Sequence, residues 1–169
     1  MLEIREARPE DALEVAGVHV RAWQVAYRGL IDEGFLAGLK AEERAARYTF
    51  GSTGSASPTT LLAVERGTIH GFSTFGPTRD EDAPGAGEIH ALYVDPPHWG
   101  EGAGRLLLAE SRHRLLGAGH AEGVLWVLRG NRDAERFYRI DGWRRDGAER
   151  WEQPYGVRSR VIRYRRPLP

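Results

Sequence analysis

The sequence predicts one α/β (α+β) domain in which helices flank a mixed β-sheet. Short apolar strands alternate with amphipathic helical segments along the chain. A glycine-rich loop joins one strand directly to a helix within residues 92–108. The 169 residues, 41% of them hydrophobic, suffice for one core, and no repeat or long linker divides them. Residues 1–169 are therefore expected to form a single domain.

The N-terminal part begins with a short alternating strand, Leu2 to Glu6, after which Pro9 opens a helix. Apolar residues at helical spacing give this helix its predicted buried face: Leu13, Ala16, Val20 and Trp23. Two shorter helical segments begin at Asp32 and Lys40. The first third of the chain is therefore predicted to be mainly helical.

A β-hairpin follows, because two apolar runs, residues 61–64 and 69–75, flank a tight Arg-Gly turn. Polar loops lie on either side of this hairpin, at residues 51–59 and 77–87. Further along, residues 124–128 form a buried strand, and Asn131 caps a helix that stops at Gly142. Two closing strands, residues 143–151 and 157–164, complete the predicted sheet.

The glycine-rich loop predicts a phosphate site. Glycines at 100, 102 and 104 let the backbone N–H groups approach an anion, and the following helix adds the positive end of its dipole. The Lys-Ser/Thr end of a Walker A loop is missing, since Arg105 and Leu106 follow instead. The G-x-G-x-x-G dinucleotide pattern fails as well. Taken alone, the loop could equally be a plain turn between a strand and a helix.

Two motifs together resemble the GNAT superfamily of N-acetyltransferases, which bind acetyl-CoA. The first, Trp99-Gly100-Glu101-Gly102-Ala103-Gly104, is similar to that family's pyrophosphate loop, except that Trp99 stands where the family usually has Gln or Arg. The second follows the strand at residues 124–128 and consists of Asn131, Ala134, Phe137-Tyr138 and Gly142-Trp143. The resemblance is strong from residue 88 to residue 143 and looser elsewhere.

This resemblance implies a mostly antiparallel sheet of about six to seven strands with a splay between the two central ones. It implies transfer of an acetyl group from acetyl-CoA to a primary amine of a small molecule, such as a polyamine or an amino acid, in a ternary complex. It assigns coenzyme binding to Leu92, Tyr93, Val94, Trp99, Gly100, Glu101, Gly102, Ala103, Gly104, Arg105, Asn131, Ala134, Phe137 and Tyr138. A main-chain N–H of the strand at residues 92–94 would bind the oxyanion, and its backbone would pair with pantetheine.

The chemistry needs a base, because an alkylamine with a pKa near ~10.4 is protonated at neutral pH. The resemblance makes Glu88 the first candidate, acting directly or through water. His90 is the rival, since residues two apart face the same side of a strand. Tyr138 stands at the position of the family's general acid, which protonates the leaving thiolate. By residue type alone, each of the three could instead be an ordinary strand, surface or core residue.

The acceptor site is expected against the early helices, where Trp23 and Tyr27 join Glu88 and His90 as predicted substrate-binding residues. Aromatic rings near the acidic side chains of the 77–87 loop would suit a cationic amine. Core packing is the alternative for Trp23 and Tyr27, which lie four residues apart on one helical face. A protein acceptor, either an N-terminus or a lysine, and a non-catalytic CoA-binding module stay open as other functions.

Composition bounds the remaining expectations. Basic and acidic side chains number 24 each, so overall neutrality argues against nucleic-acid binding. No apolar run approaches membrane-spanning length, and the first residues lack the apolar centre of a signal peptide, which favours a cytoplasmic protein. Cysteine is absent, the histidines show no paired ligand spacing, and no metal is predicted. Trp151 and Tyr155 on the closing strands could serve a homodimer interface.

Overall fold

The computed structural model describes residues 1–54, 56–153 and 157–169. The strands are β1 (Glu3–Glu6), β2 (Thr59–Glu65), β3 (Thr68–Pro77), β4 (Gly87–Val94), β5 (Glu122–Leu128), β6 (Arg144–Glu152) and β7 (Ser159–Pro167). The helices are α1 (Ala12–Ala26), α2 (Glu33–Ala37), α3 (Ala41–Ala45), α4 (Ala103–Gly117) and α5 (Arg132–Ile140). These elements confirm the predicted α/β class.

The seven strands form one sheet in the order β1-β2-β3-β4-β5-β7-β6. Neighbouring strands run antiparallel except β4 and β5, which pair in parallel at residues 87–89 only. Beyond Ile89 the two central strands are no longer paired, and a gap opens between them. The predicted strand number, the mostly antiparallel pairing and the central splay are confirmed.

A β-bulge lies in β4 at the point where the splay begins. Thr74 of β3 pairs with Ala91 and the next residue, Phe75, pairs with Ile89, so His90 is left without a partner across the ladder. A bulge of this kind bends its strand and redirects a side chain. His90 is therefore the residue of β4 whose position depends most on this irregularity.

Helices cover both faces of the sheet. On one face α4 contributes Leu107, Leu108 and Leu115 to the larger core, which also contains the fully buried Trp143. On the other face Val15 and Val18 of α1 pack against strand residues that include Phe72. Burying each large apolar side chain contributes about 1.5–3 kcal/mol to stability. No described helix is long and apolar enough to span a bilayer.

The buried face of α1 agrees with the predicted one in part, since Ala16 and Trp23 are buried and Val20 is half-buried. Leu13 is 56% exposed, whereas the buried residues of the helix are Val15, Ala16, Val18, His19, Ala22 and Trp23. This helix carries apolar residues on more than one side, so periodicity alone permits two faces. Packing of Val15 and Val18 against the sheet selects the second of these faces, and Leu13 is left in solvent.

The closing strands form as predicted, although only part of the interface hypothesis can be placed. Trp151 on β6 is 53% exposed, and the guanidinium of Arg158 lies 4.6 Å from its ring centroid. Tyr155 lies outside the described residues. The exposed Trp151 ring is therefore already covered in part by an arginine of the same chain.

Candidate active site

A cavity of about 790 Å³, here called the splay cavity, occupies the gap between β4 and β5. Its walls are residues 89–94 of β4, residues 125–128 of β5, the glycine-rich loop with the start of α4, the inner side of α5 and the end of α1. Every residue predicted to bind the coenzyme lies on these walls. The structure therefore brings the two sequence motifs together around one cavity.

The glycine-rich loop presents backbone N–H groups to the splay cavity. Gly100 and Gly102 have φ angles of +81° and +96°, which a side chain would strain. Gly102 is the residue before the first turn of α4, and no side chain caps this helix end. Because the first N–H groups of a helix have no partner within it, this end of α4 offers donors to an anion.

Trp99 fixes the loop to the end of β4. Its indole Nε1 donates a hydrogen bond to the Val94 carbonyl oxygen at 2.7 Å, while 46% of the residue stays exposed. The side chain therefore lies at the rim of the splay cavity and does not fill it. This position suits a loop that binds phosphate through its backbone, for which a Gln or Arg side chain is not required.

A cluster of two histidines and a glutamate holds the other side of the same loop. The rings of His70 and His98 stack at a centroid distance of 3.5 Å with an interplanar angle of 10°. Glu101 Oε2 lies 3.0 Å from His98 Nδ1 and 3.6 Å from His70 Nδ1. The spacing of the histidines along the sequence did not indicate this group, because its residues come from different elements. Ligand atoms of the three side chains lie within 4.8 Å of one another, a spacing at which they could hold a metal ion, and the contacts of Glu101 with both rings tie the loop to β3.

α5 supplies the wall opposite β4. The Asn131 side chain caps this helix by accepting a hydrogen bond from the Ala134 N–H at 3.3 Å, as predicted. Tyr138 is 8% exposed and lines the splay cavity, and burial raises the pKa of its phenol well above the ordinary value. Tyr138 therefore keeps its O–H proton at physiological pH and can donate it.

A second cavity, of about 380 Å³, lies on the face of the sheet that carries α1 and α3. We call it the arginine cavity, because Arg44, Arg47 and Arg79 lie on its wall together with Thr60 and Thr74. These arginines come from α3, from the turn after it and from the loop after β3. No sequence pattern links residues so far apart, so this cavity could not be predicted from the sequence.

At the β4 bulge His90 and Ala91 line both cavities, and we call this segment the junction. His90 Nε2 is buried and has no hydrogen-bond partner among the described residues. Burial lowers the pKa of His90, the charge of Arg79 lowers it further, and Glu88 acts in the opposite direction. The junction thus holds a neutral imidazole at pH 7.

Glu88 lies one residue before the β4 part of the splay cavity wall and two residues before that of the arginine cavity. It is 1% exposed, and its carboxylate accepts hydrogen bonds from the Arg79 N–H at 3.0 Å, from Arg79 Nη2 at 2.8 Å and from Thr78 Oγ1 at 3.2 Å. It is not among the described residues that line either cavity. Its geometry fixes the start of the loop after β3 and places its charge near His90.

The two predicted aromatic residues of α1 separate in the structure. Trp23 is 5% exposed and packs in a cluster with Ile31 and Leu36. It is not among the described residues that line either cavity. Tyr27, which follows the helix, lines the splay cavity, and its hydroxyl lies 3.1 Å from the Tyr93 hydroxyl. Of this predicted pair, only Tyr27 lies on the wall of the splay cavity.

Comparisons with known proteins agree with this geometry. A family model described as Acetyltransferase (GNAT) family matches residues 23–143. The uncharacterized N-acetyltransferase YuaI of Bacillus subtilis is 33% identical over 131 residues, which cover 78% of this chain and 74% of that protein.

Solved structures share the fold. The PaiA N-acetyltransferase of Thermoplasma acidophilum, in complex with coenzyme A, has a TM-score of 0.72 at 22% identity and covers 96% of this chain and 98% of its own. The yncA protein of Salmonella typhimurium, with acetyl-CoA, has a TM-score of 0.69 at 21% identity and covers 99% and 94%. Since the family model spans most of the chain and a third of the residues aligned with YuaI are identical, this protein belongs to the acetyltransferase (GNAT) family.

Proposed function

We propose that this protein transfers the acetyl group of acetyl-CoA to a primary amine of a small molecule, by direct attack in a ternary complex. The observation that carries the proposal is the position of His90. Its neutral, unpartnered Nε2 lies at the junction of two cavities, so a donor in one and an acceptor in the other could meet there.

The splay cavity fits the coenzyme. The N–H groups of residues 100–105 and the N-terminus of α4 would bind the pyrophosphate. Residues 92–94 of β4 lack a neighbouring strand on the β5 side, so their backbone groups could pair with the pantetheine arm as an added strand. Main-chain N–H groups of the same segment are available for the oxyanion that develops during transfer.

His90 and Tyr138 would move the two protons of the reaction. As the amine nitrogen bonds to the thioester carbonyl carbon, His90 Nε2 takes a proton from that nitrogen. As the carbon–sulfur bond breaks, the Tyr138 hydroxyl gives a proton to the departing sulfur. Acid and base groups placed in this way each contribute typically about 10²–10⁴-fold to the rate.

Glu88 would assist rather than act alone. Its carboxylate accepts hydrogen bonds from Arg79 and Thr78, whereas the Nε2 atom of His90 has no hydrogen-bond partner in the part of the chain that the structure describes. Its negative charge raises the pKa of His90 against the effect of burial, which strengthens the imidazole as a base. We therefore favour His90 as the proton acceptor and Glu88 as a residue that tunes it.

The size of the arginine cavity supports a small acceptor. At about 380 Å³ it lies at the lower end of the range for small-molecule sites. Its walls combine β2, β3, β4 and the segment after α3. A compact amine fits such a cavity better than an extended peptide does.

The test is a calorimetric titration with acetyl-CoA, followed on the same sample by a thiol-release assay against polyamines, amino acids, aminoglycosides and short peptides. Micromolar binding with turnover on a small amine is expected. Turnover restricted to peptides would replace the small-molecule acceptor by a protein one. Binding without turnover on any member would favour a non-catalytic CoA-binding module, and absence of binding would overturn the role of the glycine-rich loop.

A further inference from the structure

We infer that the acceptor carries an anionic group, such as a carboxylate, close to the amine that is acetylated. This inference rests on the proposed function and names the chemical class of its second substrate. It comes from the charges on the arginine cavity wall, and it selects amino-acid-like acceptors over polyamines.

The charge balance of the cavity wall is positive. Three guanidinium groups, those of Arg44, Arg47 and Arg79, face one carboxylate, Glu6, among the described wall residues. Glu6 also accepts a hydrogen bond from Arg114 at 3.1 Å, and Arg79 is paired with the buried Glu88. The described wall therefore carries three guanidinium groups and one carboxylate.

The charges of Arg44 and Arg79 shift the pKa values of titratable groups around the site. Burial lowers the pKa of His19, and the charge of Arg44 lowers it further. The pKa of Tyr93, on the splay cavity wall, is raised by burial, while Arg44 acts in the opposite direction. Arg79 lowers the pKa of His90 in addition to the effect of burial. Glu88 and Asp80 raise the pKa of His90 in the opposite direction, so charges of both signs reach the junction.

On the arginine cavity wall, Arg44 contacts an aromatic ring, and neutral hydroxyl groups lie on the same wall as the arginines. The guanidinium of Arg44 lies 5.2 Å from the ring centroid of Tyr48, whose hydroxyl is 3.2 Å from His19 Nδ1. The hydroxyls of Thr60 and Thr74 lie 2.8 Å apart, so one O–H proton of the pair remains available to a ligand. Guanidinium and hydroxyl donors together suit a carboxylate or another oxyanion.

A polyamine fits this cavity poorly. Its second ammonium would lie near guanidinium groups, and like charges placed close together repel one another. In an α-amino acid, by contrast, the carboxylate lies two bonds from the amine nitrogen. Such an acceptor could place its carboxylate against the arginines and its amine toward His90.

Matched acceptors test the inference. Each amino acid of a panel is compared with the amine left when its carboxylate is removed, such as phenylalanine with phenethylamine and lysine with cadaverine. Amines with a phosphonate in place of the carboxylate form a third arm. We expect kcat/KM at least about tenfold higher for the anionic member of a pair, since one charge-assisted hydrogen bond contributes about 1.5–3 kcal/mol. A preference for phosphonates over carboxylates would identify the anion more closely.

Arginine variants locate the preference. Arg47→Gln and Arg44→Gln should each reduce the ratio between the paired acceptors, mainly through KM. Arg66→Gln, an exposed arginine in the β2–β3 turn and on neither cavity wall, should leave it unchanged. Because Arg44 contacts Tyr48, the exposed Arg47 provides the variant least expected to disturb folding.

Calorimetric titration of the same pairs into the protein–CoA complex distinguishes a failure of the proposed function from a failure of the proposed acceptor class. Preferential binding of the anionic members without turnover would overturn the proposed function and leave the acceptor class standing. Equal kcat/KM and equal affinity for paired acceptors, or a preference for the decarboxylated amines, would overturn the acceptor class even if acetyl transfer is observed. Failure of every acceptor to bind would overturn it as well.

Discussion

The two cavities that share His90 are built in different ways. The splay cavity uses backbone: a bulged strand, a loop with two glycines at positive φ and the open end of α4. The arginine cavity uses side chains from segments that are far apart in sequence. A backbone site leaves a local glycine pattern that identifies it, whereas a side-chain site is defined only by the fold. The coenzyme side should therefore respond to changes in backbone geometry, and the acceptor side to changes in charge.

The largest expected effect is at the junction itself. His90→Gln should lower kcat by about 10²–10⁴-fold in the thiol-release assay, because the neutral Nε2 that receives the proton is lost. Acetyl-CoA affinity from calorimetry should change little. Glu88→Gln should cost less activity, since its carboxylate already binds Arg79.

His113→Gln, at an exposed histidine of α4 on neither cavity wall, is the matched control for this change. A folded Glu88→Gln protein that loses as much activity as His90→Gln would assign the proton transfer to the carboxylate instead.

Tyr138→Phe should reduce turnover by about 10²-fold and leave coenzyme affinity intact. The phenyl ring keeps its contacts with Phe137 and Trp143, whose ring centroids lie 5.1 Å and 6.3 Å away, so only the hydroxyl is removed. Steady-state kinetics with calorimetry on the same preparation would separate these effects. Unchanged turnover would show that Tyr138 is a core residue without a role as the acid.

Gly102→Ala tests the backbone cradle. No atom lies within 4 Å of the added Cβ, so the cost comes from the φ of +96°, which a non-glycine residue adopts at about 1–2 kcal/mol. We expect acetyl-CoA affinity to fall by roughly 5–30-fold. Gly117→Ala, near the other end of α4 and equally free of close contacts, is the control and should bind as the wild type does. Equal affinities for both variants would argue against a backbone cradle.

Low pH should lower the stability of the folded protein through a buried histidine. His19 is buried beneath Tyr48, and burial holds its folded-state pKa well below the ordinary 6.5. Below pH 6.5 the unfolded chain binds a proton that the folded chain does not. Stability is therefore complete above about pH 6.5 and decreases as pH falls, by up to about 1.4 kcal/mol per pH unit for each such histidine.

Urea denaturation between pH 5 and pH 8 measures this slope. The variant His19→Gln should flatten it, and His113→Gln should not. Identical slopes for the wild type and His19→Gln would contradict the assignment.

The smallest effect is expected at Trp99. Trp99→Phe removes the indole donor to the Val94 carbonyl, a hydrogen bond with a net value of about 0.5–1.5 kcal/mol. Acetyl-CoA affinity should fall by about tenfold at most, and kcat should stay unchanged. Trp151→Phe, at the exposed tryptophan of β6, is the control for the loss of an indole. A loss beyond 100-fold would mean that the Trp99 side chain contacts the coenzyme directly.

Most of the fold could be predicted because its signals are local. The Asn131 cap, the hairpin turn and the helices after Asp32 and Lys40 all appear in the structure where short-range patterns indicate them. The face of α1 could not be chosen in this way, since only packing on the sheet decides between Val15 and Leu13. Local chemistry determines the elements, and tertiary contacts determine their orientation.

The candidate site shows the same difference between features with local sequence signals and features that depend on tertiary contacts. That the glycine-rich loop and the start of α5 line one cavity could be predicted, because glycines and a capping asparagine mark them in sequence. The bulge at His90 depends on the register between β3 and β4, which no local pattern encodes. Arg44, Arg79 and His90 share one cavity wall only because the fold brings α3, the loop after β3 and β4 together. Charge in the acceptor cavity was therefore beyond the reach of sequence reasoning.

The central claim is that donor and acceptor occupy the two cavities at the same time, on either side of His90. Initial-rate kinetics tests this claim most directly. The rates are measured over a grid of acetyl-CoA and the best acceptor from the panel. Direct transfer in a ternary complex predicts intersecting double-reciprocal lines. Parallel lines would show that CoA leaves an acetylated protein before the amine binds, and would contradict the claim.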